Sequence, residues 1–424
     1  MNASNEPPAP EIRTDVLTGR RVIVAASRAK RPNASVGDPS LSATPDPFLE
    51  GSESETLGES LAVRAAGTDP DQPGWKVRVV PNLYPAVRFP GDGAEFSSSR
   101  TTAERNALSN ASFVPDHGDS HRSTEAQELR MGIETSPSDN MLPTCSAFGI
   151  HDVVIECPDS RQRLADLNAQ EVTWILTAWQ TRIRQLTADP RIMHAAIFRN
   201  EGFSAGASLA HCHSQIIAST VSPPLIEART QRSRDHRERT GRDLTADWLE
   251  SERRDGRRIL HDDSCLTVLC PFAPRTSWHV RIVPDASRNG SSVNAAVVPF
   301  ESIQTADRKS LAVLLSAVVR TLQEHLGPFP FNVVVTMPPF SDPNAFGWMI
   351  DVLPRTSRIA GWEYLTDVDI VSTSPEHATA VLRERFQSIV QEELLSRPGS
   401  VSEAAVQPAD QIVVAENPPS TTMF

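Results

Sequence analysis

The sequence predicts an α+β protein built from two copies of one unit, in which antiparallel strands pack against helices. The strand pattern Trp75-Lys76-Val77-Arg78-Val79-Val80-Pro81-Asn82 recurs almost letter for letter at 278–285. A helical pattern of apolar residues follows Asn168 and recurs after Thr305. Each helix leads into a strand, a loop and a second strand. Duplication of one unit accounts for all three observations.

The first copy begins with a strand–turn–strand over 13–25, followed by a basic segment that contains Arg28 and Arg31. These arginines form either a solvated basic face or a clamp for phosphate groups. Residues 90–145 are rich in Ser, Asn and Gly, which predicts an insertion or long loop. Asn168 with Glu171 three residues later predicts a capping box at the start of the helix.

The spacing of the two copies agrees with an insertion in the first. The helix starts at 168 and 305 are separated by nearly the same distance as His211 and Gly347, whereas the tryptophan strands lie farther apart. The excess falls where the 90–145 stretch lies. The predicted organisation is a disordered segment at 1–10, an N-terminal half at 11–225, a degenerate C-terminal half at 226–400 and a disordered tail at 401–424.

A row of polar side chains, His211, His213 and Gln215, occupies one strand of the first copy. Alternate residues of a strand share a face, so these three point to one side of the sheet. The preceding loop contains small residues, among them Ser208, and offers hydroxyl and backbone N–H donors.

Three interpretations of this row stay open. A polar strand face satisfied by its neighbours is the plain structural one, although burial of two histidines and a glutamine is unfavourable without partners. A metal site would use His-x-His as a ligand pair and requires further ligands. Nucleophilic catalysis would use a neutral imidazole, whose ordinary pKa of about 6.5 leaves the free base at neutral pH, to attack phosphorus.

The composition excludes some classes of function. The 424 residues include 41 Lys and Arg against 53 Asp and Glu, and the net charge of −12 gives no support to nucleic-acid or membrane binding. No apolar run approaches a membrane span, and the N-terminal segment lacks an apolar signal core. The five cysteines include no C-x-x-C pair, which predicts reduced thiols in a cytoplasmic protein.

Taken together, the motifs resemble the galactose-1-phosphate uridylyltransferase family, a duplicated branch of the histidine-triad superfamily. The resemblance covers nearly the whole chain except 90–145 and the tail, and it implies half-barrel sheets with helices packed outside. The matching stretches are R-x-D-x-L-T-G at 13–19, R-x-x-R-P at 28–32, V-R-V-V-P-N at 77–82, F-x-N-x-G at 198–202, H-x-H-x-Q at 211–215 and P-R…A-G-W-E at 354–363.

The resemblance implies a role for each matching residue. His213 would be the nucleophile that carries a uridylyl group, with Gln215 steadying the phosphoryl group and His211 in support. The implied substrate contacts are Arg28 and Arg31 at the diphosphate, Asn82 at the nucleotide, Asn200 and Ser208 at phosphate or sugar, and Glu363 near the hexose across the interface of a homodimer.

The metal sites of the family are the main departure. Where the family has C-P-F-C, this chain has Asp46-Pro47-Phe48-Leu49, and Ser160 stands where a histidine ligand is expected. In the second copy Ser287, Gly347 and Met349 stand at the ligand positions. A tetrahedral zinc site needs four donors, so the sequence predicts that both metals are lost and that no cofactor is bound.

The resulting expectation is a nucleotidyltransferase that works by double displacement through a nucleotidyl-histidine, with UDP-glucose and galactose 1-phosphate as the first candidate substrates. An ADP-sugar or dinucleoside-polyphosphate phosphorylase is the alternative with the same chemistry. A non-catalytic nucleotide-binding relative and a metal-binding β-protein are the alternatives from other classes. Retention of His213, Gln215, Ser208 and both arginines argues against the non-catalytic relative, and the missing ligands argue against the metal-binding protein. The expected partners are nucleotide sugars, sugar phosphates and a second copy of the chain, without nucleic acid or membrane.

Overall fold

The computed structural model describes residues 9–30, 46–89, 145–161, 163–263, 265–285, 298–395 and 412–416. The predicted disorder at 1–8 and at most of the tail, and the predicted insertion at 90–144, lie outside the described residues, as do Arg31 and Ser287.

The described residues form fourteen strands and six α-helices. The strands are β1 Glu11–Thr14, β2 Arg21–Val24, β3 Leu61–Ala65, β4 Trp75–Pro81, β5 Gly149–Ile155, β6 His194–Glu201, β7 His213–Ser219, β8 Ile259–Asp262, β9 Leu266–Leu269, β10 Val280–Pro284, β11 Phe331–Thr336, β12 Met349–Pro354, β13 Asp369–Val371 and β14 Ile412–Glu416. The helices are α1 Ala169–Thr187, α2 Pro224–Thr240, α3 Leu244–Asp255, α4 Thr305–Leu326, α5 Gly361–Thr366 and α6 Pro375–Leu395.

Eleven strands form one continuous sheet in the order β14-β3-β4-β5-β7-β6-β11-β12-β10-β9-β8, with antiparallel neighbours throughout. At its centre β6 pairs with β11, and Asn200 lies opposite Asn332. A small second sheet contains β1, β2 and β13, in which β13 runs parallel to β2. The predicted α+β class is confirmed, and the strands of both copies are joined in one open sheet.

Two sets of five strands lie symmetrically about the central pair. From edge to centre the first set runs β3, β4, β5, β7, β6, and the second runs β8, β9, β10, β12, β11. In each set a long helix follows the strand that comes third along the chain: α1 follows β5, and α4 follows β10. The strand order is therefore duplicated, as predicted, while the domain limits at 225 and 400 stay predictions.

The topology corrects one step of the sequence comparison. The strand that begins at Trp75 is β4, whose counterpart is β9, whereas the strand after Trp278 is β10, whose counterpart is β5. Letter similarity paired the wrong strands because both are buried strands that end in an aliphatic pair and a proline. The connection from β4 to β5 spans 82–148 and that from β9 to β10 only 270–279, so the extra length still falls in the predicted place.

Helices α1 and α4 cover one face of the large sheet. The side chain of Asn168 accepts hydrogen bonds from the N–H groups of Gln170 and Glu171, and the Glu171 carboxylate accepts one from the N–H of Asn168. The predicted capping box is thus present. The pattern after Thr305 suggests that this residue caps α4, but the N-cap is Gln304 and Thr305 is the first helical residue. Helices α1, α4 and α6 pack side by side and enclose one continuous apolar core against the sheet.

The side chains of β7 alternate between the two faces of this sheet. Ile216 belongs to the apolar core, and the hydroxyl of Ser214 accepts a hydrogen bond of 2.8 Å from Trp179 Nε1 of α1. His213 and Gln215 therefore point to the opposite face, away from the helices.

The C-terminal tail differs from the sequence prediction at β14. This strand pairs antiparallel with β3, with Val414 opposite Val63, so the prediction of disorder is wrong for 412–416. The β-branched run supplies hydrogen-bond partners to a strand that would otherwise be an open edge. None of the helices in the described ranges combines the length and apolar character needed to cross a membrane.

Candidate active site

His213 is held in one tautomer at the start of β7. Its Nδ1 lies 2.8 Å from the backbone carbonyl oxygen of His211, an acceptor, so Nδ1 carries the hydrogen and donates it. The free lone pair of the neutral ring is then on Nε2. The residue is 5% exposed, and burial is the main cause that lowers the pKa of His213 to about 4. At neutral pH the ring is uncharged, which is the form required of a nucleophile.

His211 lies in the loop before β7, because the strand itself begins at His213. Its Nδ1 is 2.8 Å from Asp46 Oδ2, and its Nε2 is 2.8 Å from the carbonyl oxygen of Cys157. Both ring nitrogens of His211 thus face oxygen atoms of the protein, whereas Nε2 of His213 has no such partner among the described residues. The chemical difference between the two histidines follows from these partners.

The segment Asp46–Leu49 packs against both rings. The centroid of the Phe48 ring is 5.9 Å from that of His211 and 5.6 Å from that of His213, in edge-on geometry. Phe48 is itself buried and keeps water from the side of the His213 ring.

The residues at the first metal position of the family do not fit a tetrahedral site. Leu49 has no donor atom, Ser160 is exposed, and His211 is hydrogen-bonded through both nitrogens. In the part of the chain that the structure describes, no three His, Cys, Asp or Glu side chains are grouped so that they could hold a metal ion. The absence of a bound metal stays a prediction, which elemental analysis of the purified protein tests.

Gln215 is bound by a third histidine. The Nε2 of His151, on β5, is 2.8 Å from Gln215 Oε1, and its Nδ1 accepts a hydrogen bond of 3.0 Å from the N–H of Ala86. The Nδ2 of Asn82 lies 3.1 Å from the same His151 Nε2. The structure therefore brings together Gln215 and Asn82, two of the predicted site residues, around a ring that sequence reasoning left without a role.

The position of His151 follows from strand pairing. Val153 lies opposite Gln215 between β5 and β7, so His151, two residues earlier on β5, shares a face with it. An alternating histidine in a strand next to the His-x-His-x-Gln strand was the available signal. It becomes informative only once these two strands are known to be neighbours.

The loop that precedes β7 is anchored from the second half of the chain. Asn332 Nδ2, on β11, donates to Asn200 Oδ1 and to the carbonyl oxygen of Ala205, both at 2.8 Å. Asn332 Oδ1 accepts a hydrogen bond of 2.6 Å from Arg355 Nε. Asn200 is thereby fixed at the centre of the sheet, and Ser208 follows in the same loop with an exposed side chain.

The other predicted residues belong to the small sheet. Arg28 is exposed in the short 3-10 turn Ala26–Lys30, directly after β2. Glu363 lies in α5, just before β13, and its carboxylate accepts a hydrogen bond of 3.0 Å from the N–H of Ala360. Within the described ranges no hydrogen bond or ion pair connects either residue to His213.

Comparison with known proteins gives matches over both halves. The family model described as galactose-1-phosphate uridyl transferase, N-terminal domain, matches residues 118–223, which contain the histidine row. ADP-glucose phosphorylase of Arabidopsis thaliana is 28% identical over 390 residues, which are 90% of this chain and 94% of that protein. Galactose-1-phosphate uridylyltransferase of Thermotoga maritima is 25% identical over 253 residues, 56% of this chain and 74% of that protein.

A solved structure gives the same result for the fold. The crystal structure of the Arabidopsis thaliana ADP-glucose phosphorylase with bound ADP-glucose matches with a TM-score of 0.64 at 26% identity, over 89% of this chain and 99% of that one. These relatives are named as a phosphorylase and a uridylyltransferase, and the resemblance predicted from the motifs is confirmed. The chain is thus similar to the galactose-1-phosphate uridylyltransferase family, whose N-terminal-domain model matches its histidine row.

Proposed function

We propose that this protein is an ADP-sugar phosphorylase, a nucleotidyltransferase that moves an adenylyl group from an ADP-sugar to inorganic phosphate through His213. The observation that carries the proposal is the state of the His213 ring. It is buried and neutral, and its one hydrogen is committed to the His211 carbonyl oxygen, which leaves Nε2 as the nucleophile.

The preference for an ADP-sugar over UDP-glucose rests on the extent of the matches. The relative named an ADP-glucose phosphorylase aligns with 90% of this chain, whereas the Thermotoga maritima uridylyltransferase aligns with 56%. This supports the alternative that the sequence left open and makes uridylyl transfer the second candidate.

The proposed reaction has two displacements at one phosphorus atom. In the first, Nε2 of His213 attacks the α-phosphorus, a P–N bond forms, and the P–O bond to sugar 1-phosphate breaks. In the second, a phosphate oxygen attacks the same phosphorus and the P–N bond breaks, which releases ADP. The sum is ADP-sugar plus phosphate giving ADP plus sugar 1-phosphate.

Groups near His213 can stabilise the charges that develop on its ring and on the phosphoryl oxygens during the proposed reaction. The Nδ1–H bond to the His211 carbonyl persists through both steps and strengthens as the ring becomes cationic. We propose that two sets of donors hold the phosphoryl oxygens. One is the amide of Gln215, two residues beyond His213 on the same strand face, and the other is the loop that contains Asn200 and Ser208.

The acting unit is proposed to be a homodimer. Arg28 and Glu363 are attached to the same small sheet through the parallel pairing of β2 with β13. We propose that this sheet reaches the sugar and diphosphate in the site of the partner subunit.

Labelling of the protein tests the proposal. Incubation with ADP-glucose labelled in the α-phosphate, without inorganic phosphate, is expected to give acid-labile label on the chain and free glucose 1-phosphate. Added phosphate should then release the label as ADP. UDP-glucose labelled in the same position is expected to react at least about tenfold more slowly.

Two variants assign the covalent role. His213→Gly should take no label, but its cavity should accept an adenosine 5′-phosphorimidazolide and restore transfer to phosphate. His211→Asn, the matched control two residues away, should keep partial activity because that residue supports the ring without bonding to phosphorus. Full activity of His213→Gly would refute the mechanism. Label from UDP-glucose alone, discharged by galactose 1-phosphate, would replace it with uridylyl transfer, and no label from either donor would favour a non-catalytic nucleotide-binding protein.

A further inference from the structure

The contact between His151 and Gln215 has a counterpart in the second half of the sheet. Gln215 is the third residue of β7 and lies opposite Val153, while Asp351 is the third residue of β12 and lies opposite Arg281. Because β7 and β12 occupy matching places in the two sets of strands, Gln215 and Asp351 are equivalent positions.

Each of these two side chains is hydrogen-bonded to a buried histidine. His151 lies in the neighbouring strand β5, and His279 directly precedes the neighbouring strand β10. His151 Nε2 lies 2.8 Å from Gln215 Oε1, and His279 Nε2 lies 2.8 Å from Asp351 Oδ1. In each ring Nδ1 accepts a hydrogen bond from a backbone N–H, at 3.0 Å and 3.2 Å respectively. The backbone donor fixes the tautomer, so Nε2 carries the hydrogen and donates it to the acceptor. Asn82 Nδ2, 3.1 Å from His151 Nε2, is itself a donor and does not compete with Gln215 for that hydrogen. The same histidine–acceptor hydrogen bond therefore occurs once in each half of the sheet.

The two histidine–acceptor pairs differ in the other contacts of the acceptor. Asp351 also accepts a hydrogen bond of 2.6 Å from Arg281 Nε. Although burial alone would raise it, Arg281 and His279 hold the pKa of Asp351 well below its usual range. This carboxylate is fully engaged inside the protein, so His279 belongs to a structural ion cluster.

In the first half the acceptor is a neutral carboxamide opposite Val153, which has no polar group. The hydrogen bond from His151 occupies the amide oxygen of Gln215, and the amide NH2 group remains as the donating end. Gln215 is partly exposed on the same face as His213, whereas His151 is buried behind it.

We propose that His151 is a positioning residue that fixes the orientation of the Gln215 amide, with its oxygen toward His151 and its NH2 group toward the phosphoryl group on His213. The inference rests on the proposed function and extends it. A carboxamide without this bond can rotate and present its oxygen to an anionic phosphoryl group, which repels it. The gain is largest in the transition state, where the equatorial oxygens carry the most charge, so His151 acts on kcat more than on KM.

Three variants test this role. His151→Ala should lower kcat for labelling by ADP-glucose by about 10- to 100-fold and change KM by less than about threefold. His151→Gln, whose amide nitrogen reaches the place of Nε2, should restore kcat to within about fivefold of the wild type. The matched control is His279→Ala, which removes the equivalent bond in the other half. It should lower the thermal midpoint as His151→Ala does, yet keep kcat per folded molecule, with the folded fraction measured by circular dichroism.

A double-variant cycle shows whether the effect passes through Gln215. His151→Ala should have no further effect on kcat, or on AMP affinity measured by calorimetry, when Gln215→Ala is already present. Equal losses of kcat in His151→Ala and His279→Ala, no recovery in His151→Gln, or additive losses in the cycle would overturn the inference. If the wild type takes no label, the proposed function fails, and the AMP arm of the cycle then decides the positioning role by itself.

Discussion

A nucleophilic histidine loses its reactive lone pair when it binds a proton, so the burial of His213 has a direct consequence for the proposed reaction. Burial lowers the pKa of this ring to about 4, whereas the ordinary pKa of an exposed imidazole is about 6.5. The folded protein therefore keeps the free base well into the acid range. The neighbouring Phe48 ring contributes to that burial.

From this we expect the rate of nucleotidyl transfer to His213 to stay constant from pH 8 to about 5.5 and to fall only toward pH 4. Phe48→Ala opens the ring to water, which should raise the pKa of His213 toward 6.5 and move the acid limb upward with it. Single-turnover labelling as a function of pH measures both limbs. An acid limb near 6.5 in the wild type, or no movement in the variant, would contradict the assignment.

At this scale the sequence predicted the residue types but not their partners. The row His211, His213 and Gln215 could be recognised because period two is visible in the letters. The contacts of Asp46 with His211 and of His151 with Gln215 join segments that are distant in sequence, and only strand neighbourhood brings them together. The histidine that follows no local pattern, His151, was accordingly missed.

Among the secondary structure elements, β5 carries His151 and depends on a close approach at its first residue. A Cβ atom on Gly149 would lie 2.0 Å from the carbonyl oxygen of Ala218 on β7. The backbone of β7 cannot withdraw without breaking the pairing that sets the position of Gln215. Glycine is thus required here by the spacing of two strands.

Gly149→Ala is therefore expected to lower the free energy of unfolding by roughly 3 kcal/mol and to reduce kcat together with it. Chemical denaturation and labelling kinetics measure the two effects. Gly361→Ala is the matched control, since a Cβ at that position meets no atom within 4 Å, and it should change stability by less than about 1 kcal/mol. Equal stability of the two variants would show that the strands can separate locally.

The elements themselves were largely predictable, because capping residues and apolar periodicity are local signals. The capping box at Asn168 and the strand from Trp75 to Pro81 stand where the sequence indicated them. The equivalence of strands was not predictable in the same way. Short buried strands have similar sequences, so the two tryptophan strands look equivalent in sequence although they occupy different positions in the sheet. The edge strand β14 was missed for the opposite reason, since it is a short run within a polar tail.

For the whole molecule, the apolar surface of α5 is the feature that bears on assembly. Trp362, Tyr364 and Leu365 are 46%, 80% and 84% exposed in a helix of six residues that also carries Glu363. Large apolar side chains clustered at the surface are typical of an interaction site. The surface lies on the element that the family resemblance assigns to the dimer interface.

We expect the protein to sediment as a dimer and Leu365→Glu to weaken the dimer by at least about tenfold, because it places a charge in an apolar contact. Activity should fall with the dimer fraction if Glu363 acts in the site of the partner. Leu395→Glu is the matched control, since that leucine is also 84% exposed but lies at the end of α6. Identical sedimentation of the two variants, or an active monomer, would contradict the shared site.

The central pairing of β6 with β11 also bears on how the two halves can diverge. Gly347 and Met349 stand in the second half where His211 and His213 stand in the first, yet Asn332 of that half holds Asn200 and the Ala205 carbonyl in the loop before β7. The second half therefore cannot be removed without loss of the strand that anchors Asn200 and the loop before β7.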